Sequence, residues 1–277
     1  MIKILCDSIS DVPVEIIEKY KVEIVPLTVL FNGEEYLDRL DITNQEFYKM
    51  LRNSDSMPKT SQATYAQFKK YFDQYKDTDT QVLYIAGSSV ASGTMQSAVL
   101  AKNDGYDNVT IFDTQSLAIG SALFVIKACE LAEQGCSVED IVSKLEAMRG
   151  TETVLFSVDT LEYLKKGGRI SSVKASIGSL LNIKPILTVQ DGLVAQKSQV
   201  RGKKQIFSAF TSHLTEQYGE KLDKKTIIVG YGDNIEDLEI MKKSVLEKIQ
   251  ANDVYFVNIG CVVCSHSGPG ILGISCI

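Results

Sequence analysis

The chain has 277 residues, of which 44% are hydrophobic and 23% charged, and its net charge is -6 at pH 7. No apolar run approaches the roughly 18 residues that cross a bilayer, and the acidic balance without a recognition motif argues against nucleic-acid binding. The first residues, MIKILCDS, lack the features of a secretory signal, so the six cysteines indicate reduced thiols and a cytoplasmic location.

The first half alternates strand and helix patterns. Strands are expected at IKILC, VEIVPLTVLF, QVLYIAG and VTIFDT, and helices after Pro13 and over residues 43–53, 64–75 and 94–104. Ser10 or Asp11 is expected to cap the first helix. This alternation predicts a parallel sheet flanked by helices on both faces, whose ligands bind at the carboxyl ends of the strands.

A second unit is expected to begin at the strand TVLFSV, after a helical stretch over residues 117–148 that is interrupted near Gly135. The predicted domains are therefore 1–152 and 153–277. The second contains a KKGGR turn, an apolar helix over 172–181 and two extended runs joined by an Asp191-Gly192 hairpin. Helices over 203–217 and 234–249 and the strands KTIIVGYG and VYFVNIG complete an α/β domain with a mixed sheet.

A loop rich in hydroxyl groups follows the strand QVLYIAG. The segment VLYIAGSSVASGTMQSA carries five hydroxyls between a buried strand and a helix: Ser88, Ser89, Ser92, Thr94 and Ser97. Free N–H groups at a helix start favour an anion. A phosphate-binding P-loop would add a lysine after its last glycine, which is absent after Gly93, so a carboxylate is the expected guest.

Two further loops are candidates for the same pocket. PKTSQ supplies Thr60 and Ser61, and CSHSGPG, expected to be a loop after an apolar strand, supplies His266. A histidine can donate a hydrogen bond or a charge to a carboxylate. The plain alternatives are that Thr60 or Ser61 caps the next helix, that Ser92 and Thr94 cap theirs, and that His266 is structural.

The charge is unevenly distributed. Residues 165–204 hold nine Lys or Arg and one acid, Asp191. Such runs are usually solvated surface. The alternative is a docking face for an acidic partner or a phosphate.

Several motifs carry a resemblance that runs nearly end to end. The segments KTSQ, SSVASGTMQSA, DT, LEYLKKGGRIS, KPIL with DG, RGKK and HSGPG are similar to those of the DegV family of bacterial fatty-acid-binding proteins. The resemblance implies a two-domain α/β fold that buries one long-chain, palmitate-like fatty acid with its carboxylate at the domain junction. It implies a lipid carrier in fatty acid metabolism rather than an enzyme, with no cofactor and with transient membrane contact.

The resemblance also assigns residues. Thr60 and Ser92 would hold the carboxylate, with Ser61, Gly93 and Thr94 beside them and His266 completing the hydrogen-bond network. Some members present the fatty acid to a kinase that forms an acyl phosphate, which suggests docking residues: Arg169, Arg201, Lys203 and Lys204. Apolar residues of the second domain are candidates for the acyl chain, or equally for the ordinary core: Ile177, Leu180, Leu181, Ile183, Ile186 and Leu187.

Two other functions compete with the carrier. Gly87, Ser89 and Ala91 nearly form the Gly-x-Ser-x-Gly elbow of a serine hydrolase, in which Ser89 or Ser92 would act with His266, although Ala91 replaces a glycine. Cys261 and Cys264 with His266 could form a zinc or redox site, but no second Cys pair follows. If the run is extended, residues three apart point to opposite sides, so buried thiols are the preferred interpretation.

Overall fold

A computed structural model defines residues 1–170 and 182–277. Its strands are β1 (Ile2–Asp7), β2 (Glu23–Val25), β3 (Thr28–Phe31), β4 (Glu34–Leu37), β5 (Lys59–Ser61), β6 (Gln81–Ala86), β7 (Val109–Asp113), β8 (Thr153–Ser157), β9 (Ile183–Gln190), β10 (Leu193–Arg201), β11 (Thr226–Tyr231), β12 (Asp253–Asn258) and β13 (Leu272–Cys276). Its helices are α1 (Val14–Tyr20), α2 (Asn44–Arg52), α3 (Tyr65–Asp73), α4 (Thr94–Lys102), α5 (Ala118–Glu133), α6 (Val138–Met148), α7 (Glu162–Gly167), α8 (Lys204–Tyr218), α9 (Ile235–Lys248) and α10 (Cys261–Ser267). The expected helix over 172–181, with Ile177, Leu180 and Leu181, lies outside these residues.

The first sheet is parallel, with strand order β2-β1-β6-β7. Alternate residues of a strand point to opposite faces. Leu83 and Ile85 of β6 pack in the core with α5 and α6, whereas Val82 and Tyr84 pack in a second core with α3 and α4. Helices on both faces confirm the predicted architecture.

Two short elements of the first half differ from the sequence prediction. PKTSQ is not a loop, since Lys59–Ser61 forms β5 in a three-stranded antiparallel sheet ordered β4-β3-β5. Pro13 occupies the N-cap of α1 and no side chain caps that helix, so the cap expected from Ser10 or Asp11 was wrong. Both side chains are instead fully buried.

The second sheet is mixed, with strand order β10-β9-β8-β13-β11-β12. Only β11 and β12 pair in parallel among its described strands. The predicted hairpin is confirmed, because Asp191 and Gly192 have φ values of 50° and 79°, as a two-residue type I′ turn requires. The first strand of this sheet in chain order is β8, which begins at Thr153. The domain division after residue 152 stays a prediction.

Helix α5 lies between the two sheets. Twelve of its 16 residues are buried, and it contacts β1 and β6 on one side and β8, β11 and β13 on the other. Across the described ranges, no helix has the length and apolar character that a membrane crossing requires. The apolar residues of α5 thus pack against strands of both sheets.

The last helix returns to the first half of the fold. The expected strand VYFVNIG is present as β12, but CVVCSHS after it forms α10, so the expectation of a loop at His266 was wrong. Cys261, Val262 and Cys264 pack in the same core as Val29 and Phe47. Contacts with β3, β5 and α2 thus place α10 beside the first half, although it follows β12 in the chain.

Candidate functional site

A cavity of about 350 Å³ lies where α5, α10 and the second sheet meet. This volume is within the range of small-molecule sites. Most of its lining is apolar and comes from both halves of the chain. These residues are Ile9, Leu27, Ala91, Leu117, Ala118, Ile119, Val154, Phe156, Leu164, Val189, Val194, Ile259, Val262, Val263, Ile271 and Gly273.

The polar lining includes most of the residues that the sequence singled out. Those residues are Thr60, Ser61, Gln62, Ser92, Gly93, Arg169, His266 and Ser267. Thr60 on β5 and His266 on α10 are joined directly, with 2.8 Å between Oγ1 and Nε2. The pairing of β5 with β3 fixes Thr60, because its backbone partner is Val29. Two residues 206 positions apart are thus brought into one hydrogen bond.

The His266 ring is neutral at pH 7. Burial, reinforced by the Arg169 guanidinium, lowers the pKa of His266 to about 4. Its Nδ1 is buried with no partner among the described residues and lies against Gly167, where a Cβ would come within 2.4 Å. An unpaired lone pair is tolerated better than an unpaired N–H, so the favoured tautomer carries its proton on Nε2. That proton is donated to Thr60, which leaves the Thr60 hydroxyl proton free for a ligand.

The loop before α4 presents Ser92 to the cavity. Ser92 Oγ accepts the Thr94 N–H at 3.2 Å and lies 2.9 Å from Thr94 Oγ1. Thr94 is buried and does not line the cavity, since its hydroxyl also accepts the Ala63 N–H. At Gly93 a Cβ would come within 2.0 Å of Gln62 Oε1, so glycine permits this close contact. Ser92 therefore serves both the helix start and the cavity.

The alternative capping roles for β5 are wrong. Thr64, not Thr60 or Ser61, caps α3, and its capping box with Gln67 leaves the β5 hydroxyls free of that task. Ser61 is exposed at the cavity margin.

The other loop serines have structural partners. Ser88 Oγ donates to the Gly192 carbonyl at 2.7 Å, which joins this loop to the β9–β10 hairpin. Ser89 Oγ donates to Asp113 at 2.5 Å. Neither serine lines the cavity. Ser97 Oγ accepts a hydrogen bond from Gln62 Nε2 at 2.9 Å. Of the five hydroxyls, only that of Ser92 therefore belongs to the cavity lining.

The cavity has a cation that the loop sequence did not reveal. Arg169 is held by the Ala91 carbonyl, 3.2 Å from Nε, and by the Gly167 carbonyl, 2.6 Å from Nη1. Of the described residues in the lining, it alone carries a full charge at pH 7. The loop supplies no cation, as its sequence indicates, but Arg169 adds one to the cavity from 75 residues beyond the loop.

The four suggested docking residues lie in two places. The Arg169 carbonyl accepts the Val194 N–H, and Arg201 is seven residues further along β10, roughly 20 Å away. Arg201 and Lys204 are exposed, whereas Lys203 pairs with Asp237 at 2.6 Å. Arg169 is therefore on the cavity side and the other three are grouped at the far end of the hairpin.

The apolar wall differs from the residues suggested by the sequence. Ile183, Ile186 and Leu187 do not line the cavity, and the last two are fully packed in the core. Val189 and Val194, which pair in the hairpin, line it instead. The sequence did not distinguish these positions, because the apolar residues of β9 occur on both faces of the strand.

The contacts of His266 do not form a hydrolase triad. Nε2 is paired with Thr60, Ser92 Oγ with Thr94, and Ser89 Oγ with Asp113. A nucleophilic serine needs the base within hydrogen-bond reach. The described geometry therefore gives the hydrolase no support.

The Cys261 and Cys264 thiols face the protein core. Because α10 is helical, residues three apart share a face, so the argument that assumed an extended run does not apply. Burial raises the pKa of both thiols, which favours the protonated form over the thiolate that binds zinc. Within residues 1–170 and 182–277, no group of three metal-ligating side chains is assembled.

Comparison with known proteins places this geometry in a family. The chain matches the sequence model described as "Uncharacterised protein, DegV family" over residues 1–277. It is 32% identical to a DegV domain-containing protein of Caldanaerobacter subterraneus, over 99% of this chain and 97% of the relative. It is 30% identical to the protein DegV of Bacillus subtilis, over 99% and 98%.

Solved structures agree with that match. A DegV family protein from Thermus thermophilus, described by its fatty acid binding, superposes with a TM-score of 0.91 at 33% identity, over 99% of this chain and 98% of that one. A stearic acid-binding protein from Eubacterium ventriosum gives a TM-score of 0.89 at 29% identity, over 100% and 98%.

Proposed function

Because the chain belongs to the DegV family, we propose that it binds one long-chain fatty acid in the 350 Å³ cavity and acts as a carrier. The observation that supports this most is the composition of the lining, which joins a large apolar wall to a small polar group. Each buried CH₂ contributes about 0.8 kcal/mol, so a 16-carbon chain gains on the order of 10 kcal/mol before ordering costs. The apolar wall therefore supplies the affinity.

The polar group would hold the carboxylate. An ionised carboxylate costs several kcal/mol to bury unless donors replace its water. The Thr60 hydroxyl proton is free because His266 Nε2–H donates to the same oxygen, and Ser92 supplies a second hydroxyl at the cavity. Arg169 offsets the negative charge from the lining itself. A neutral His266 therefore orients Thr60, and Arg169 carries the countercharge.

Intact mass under native and denaturing conditions tests this proposal. We expect the native mass of the purified protein to exceed the denatured mass by one long-chain fatty acid. Thr60→Val should reduce the bound fraction, whereas Thr110→Val on β7, which does not line the cavity, should not. A ligand-free native mass after expression in lipid-replete cells would contradict the carrier.

We also propose that a kinase acts on the bound fatty acid. Arg201 and Lys204 are exposed, and Lys203 sits between them, so this group can dock a partner while Arg169 stays with the ligand. Arg201→Ala with Lys204→Ala should slow acyl-phosphate formation by a fatty acid kinase without changing fatty-acid affinity. Lys221→Ala with Lys224→Ala is the matched control on the 3-10 helix Gly219–Lys224. Equal rates for both double variants would contradict the docking role.

A cytoplasmic location completes the proposal. All six cysteines are free thiols, the state that a reducing compartment maintains. Cell fractionation with an antibody to the chain tests this, and recovery outside the cytoplasm would contradict it.

A further inference from the structure

A buried cluster of charged side chains lies where the first half of the fold meets the start of α10. Asp11 follows β1, and Asp38 and Arg39 follow β4. Both carboxylates are completely buried, and the Arg39 side chain is one-quarter exposed. Burial of charged groups is costly unless they are paired and hydrogen-bonded. Asp11 does not cap α1, so a role in that helix does not explain its burial.

The cluster closes on the backbone of Gly260, the N-cap residue of α10. Gly260 N–H donates to Asp11 Oδ1 at 2.8 Å, and Arg39 Nη2 donates to the same oxygen at 3.2 Å. Arg39 also donates to the Ser10 carbonyl at 3.3 Å. A Cβ on Gly260 would lie 3.0 Å from Asp11 Oδ1 and 3.5 Å from Asp38 Oδ2. The carboxylates therefore pack directly against the start of the helix.

The same helix carries His266, six residues after Gly260 and about 9 Å along the axis. A helix of only seven residues is not stable by itself, so its position depends on tertiary anchors. Asp11 is one anchor at its start, and Tyr48 is another through the Ile259 carbonyl, 2.6 Å from its hydroxyl. A displacement at Gly260 would consequently move the His266 imidazole relative to Thr60 on β5.

We infer that Asp11 is a positioning residue of the fatty-acid site, which holds Gly260 and so keeps His266 in hydrogen-bond contact with Thr60. Arg39 orients the Asp11 carboxylate, and Asp38 completes the packing around Gly260. The inference rests on the proposed function for its effect on the ligand, but its effect on His266 exists without any ligand.

The cluster also makes the anchor sensitive to pH near neutrality. Burial raises the pKa of Asp11 to about 7, opposed by Arg39 and reinforced by Asp38, whose own pKa is raised by burial. The other groups that face Asp11 are a phenol and two thiols, Tyr48, Cys261 and Cys264, and burial raises the pKa of each, so they stay uncharged. An ionised carboxylate accepts stronger hydrogen bonds than a protonated one. The anchor on α10 is therefore stronger above pH 7 than below it.

The test compares Asp11→Ala and Asp11→Asn with wild type in a His213→Gln background, where His266 is the only histidine. Glu23→Gln is the matched control, because Glu23 is a partly buried carboxylate that pairs with Lys3 and Tyr75 away from the cavity. Two quantities are measured for each protein: palmitate affinity between pH 6 and 8, and the imidazole nitrogen shifts of His266 by NMR without ligand.

We expect Asp11→Ala to weaken palmitate binding about tenfold and to move the His266 shifts, while Glu23→Gln changes neither. Asp11→Asn retains an oxygen acceptor, so it should restore most of the affinity. It should also remove a decrease of about threefold in wild-type affinity between pH 8 and pH 6. If Asp11→Ala does not fold, this loss of pH dependence in Asp11→Asn decides the question.

Unchanged His266 shifts and affinity in Asp11→Ala would overturn the inference, and so would equal losses in Asp11→Ala and Glu23→Gln. A retained pH dependence in Asp11→Asn would overturn it as well. A wild-type protein that binds no palmitate would contradict the proposed function alone, since movement of the His266 signals would still support the positioning role.

Discussion

The two kinds of cavity lining are built in different ways. The polar residues sit on short elements that depend on contacts from elsewhere: the three-residue β5, the Ser92 loop and the seven-residue α10. Several of the apolar residues sit instead on longer or central elements: Ala118 and Ile119 on the 16-residue α5, and Val154, Phe156 and Val189 on the central strands β8 and β9 of the second sheet. We therefore expect small displacements to weaken the proposed carboxylate recognition sharply, and the apolar wall to tolerate changes that preserve its volume.

Filling the cavity from the apolar side should have the largest effect. Val189 is a partly exposed lining residue of β9, so Val189→Trp can project into the cavity without repacking the core. Displacing about five methylenes would cost about 4 kcal/mol, a loss of several hundredfold in palmitate affinity. Val189→Ala is the matched control and should stay within about threefold of wild type. Isothermal titration with palmitate measures both, and tight binding to Val189→Trp would mean that the acyl chain lies elsewhere.

Removing the Thr60 hydroxyl should have the next largest effect. Thr60→Val keeps the branched shape that suits β5 and should weaken palmitate binding about thirtyfold, the value of one hydrogen bond to a charged group. Hexadecanol lacks the carboxylate, so its affinity should change much less. A displacement assay measures the affinity for palmitate and for hexadecanol in each protein. Equal losses of affinity for the acid and the alcohol in Thr60→Val would contradict the assigned carboxylate site.

The neighbouring serines should separate cavity contact from loop support. Ser92→Ala removes a hydroxyl that lines the cavity and should weaken binding about tenfold. Ser89→Ala removes a bond to Asp113 outside the cavity, so it should lower stability by about 1 kcal/mol and leave affinity unchanged. Palmitate titration measures the affinity of both variants, and urea unfolding measures their stability. A larger loss of affinity in Ser89→Ala than in Ser92→Ala would contradict the assignment of Ser92 to the cavity.

The smallest expected effect concerns His266 and stability. Its folded pKa of about 4 lies below the ordinary value of 6.5, so the unfolded chain binds the extra proton first as pH falls. This contribution to stability is complete above about pH 7 and is lost between about pH 6.5 and pH 4. This effect lowers the free energy of unfolding by about 0.8 kcal/mol at pH 6 relative to pH 8. Urea unfolding at several pH values should show that His266→Gln removes this part of the pH dependence of stability. The same pH dependence in wild type and His266→Gln would indicate a charged or exposed ring.

The regular parts of the fold could be predicted because their patterns are long. The alternation that produces β1, β6, β7 and their helices spans many residues, and Asp191-Gly192 has a specific turn chemistry. Three polar segments, PKTSQ, SSVASGT and CSHSGPG, indicated Thr60, Ser92 and His266, and these three residues line one cavity although only Ser92 lies in a loop. Whether they bind the carboxylate stays a prediction.

The remaining features depend on distant contacts. CVVCSHS is too short and too rich in Cys and Val to show a helical period, and its helix forms where Gly260 meets Asp11 and Ile259 meets Tyr48. Arg169 enters the lining because Ala91, 78 residues earlier, accepts its Nε–H. No local pattern encodes such pairs, so the cation of the cavity and the anchor of α10 required the structure.

The most direct test of the central claim is a carbon NMR spectrum of palmitate labelled at its carboxyl carbon and bound to the protein. The account predicts one bound carboxyl resonance that moves in Thr60→Val and Ser92→Ala and does not move in Ser89→Ala or Thr110→Val. A bound resonance unaffected by Thr60→Val and Ser92→Ala would contradict it, as would the absence of any bound resonance.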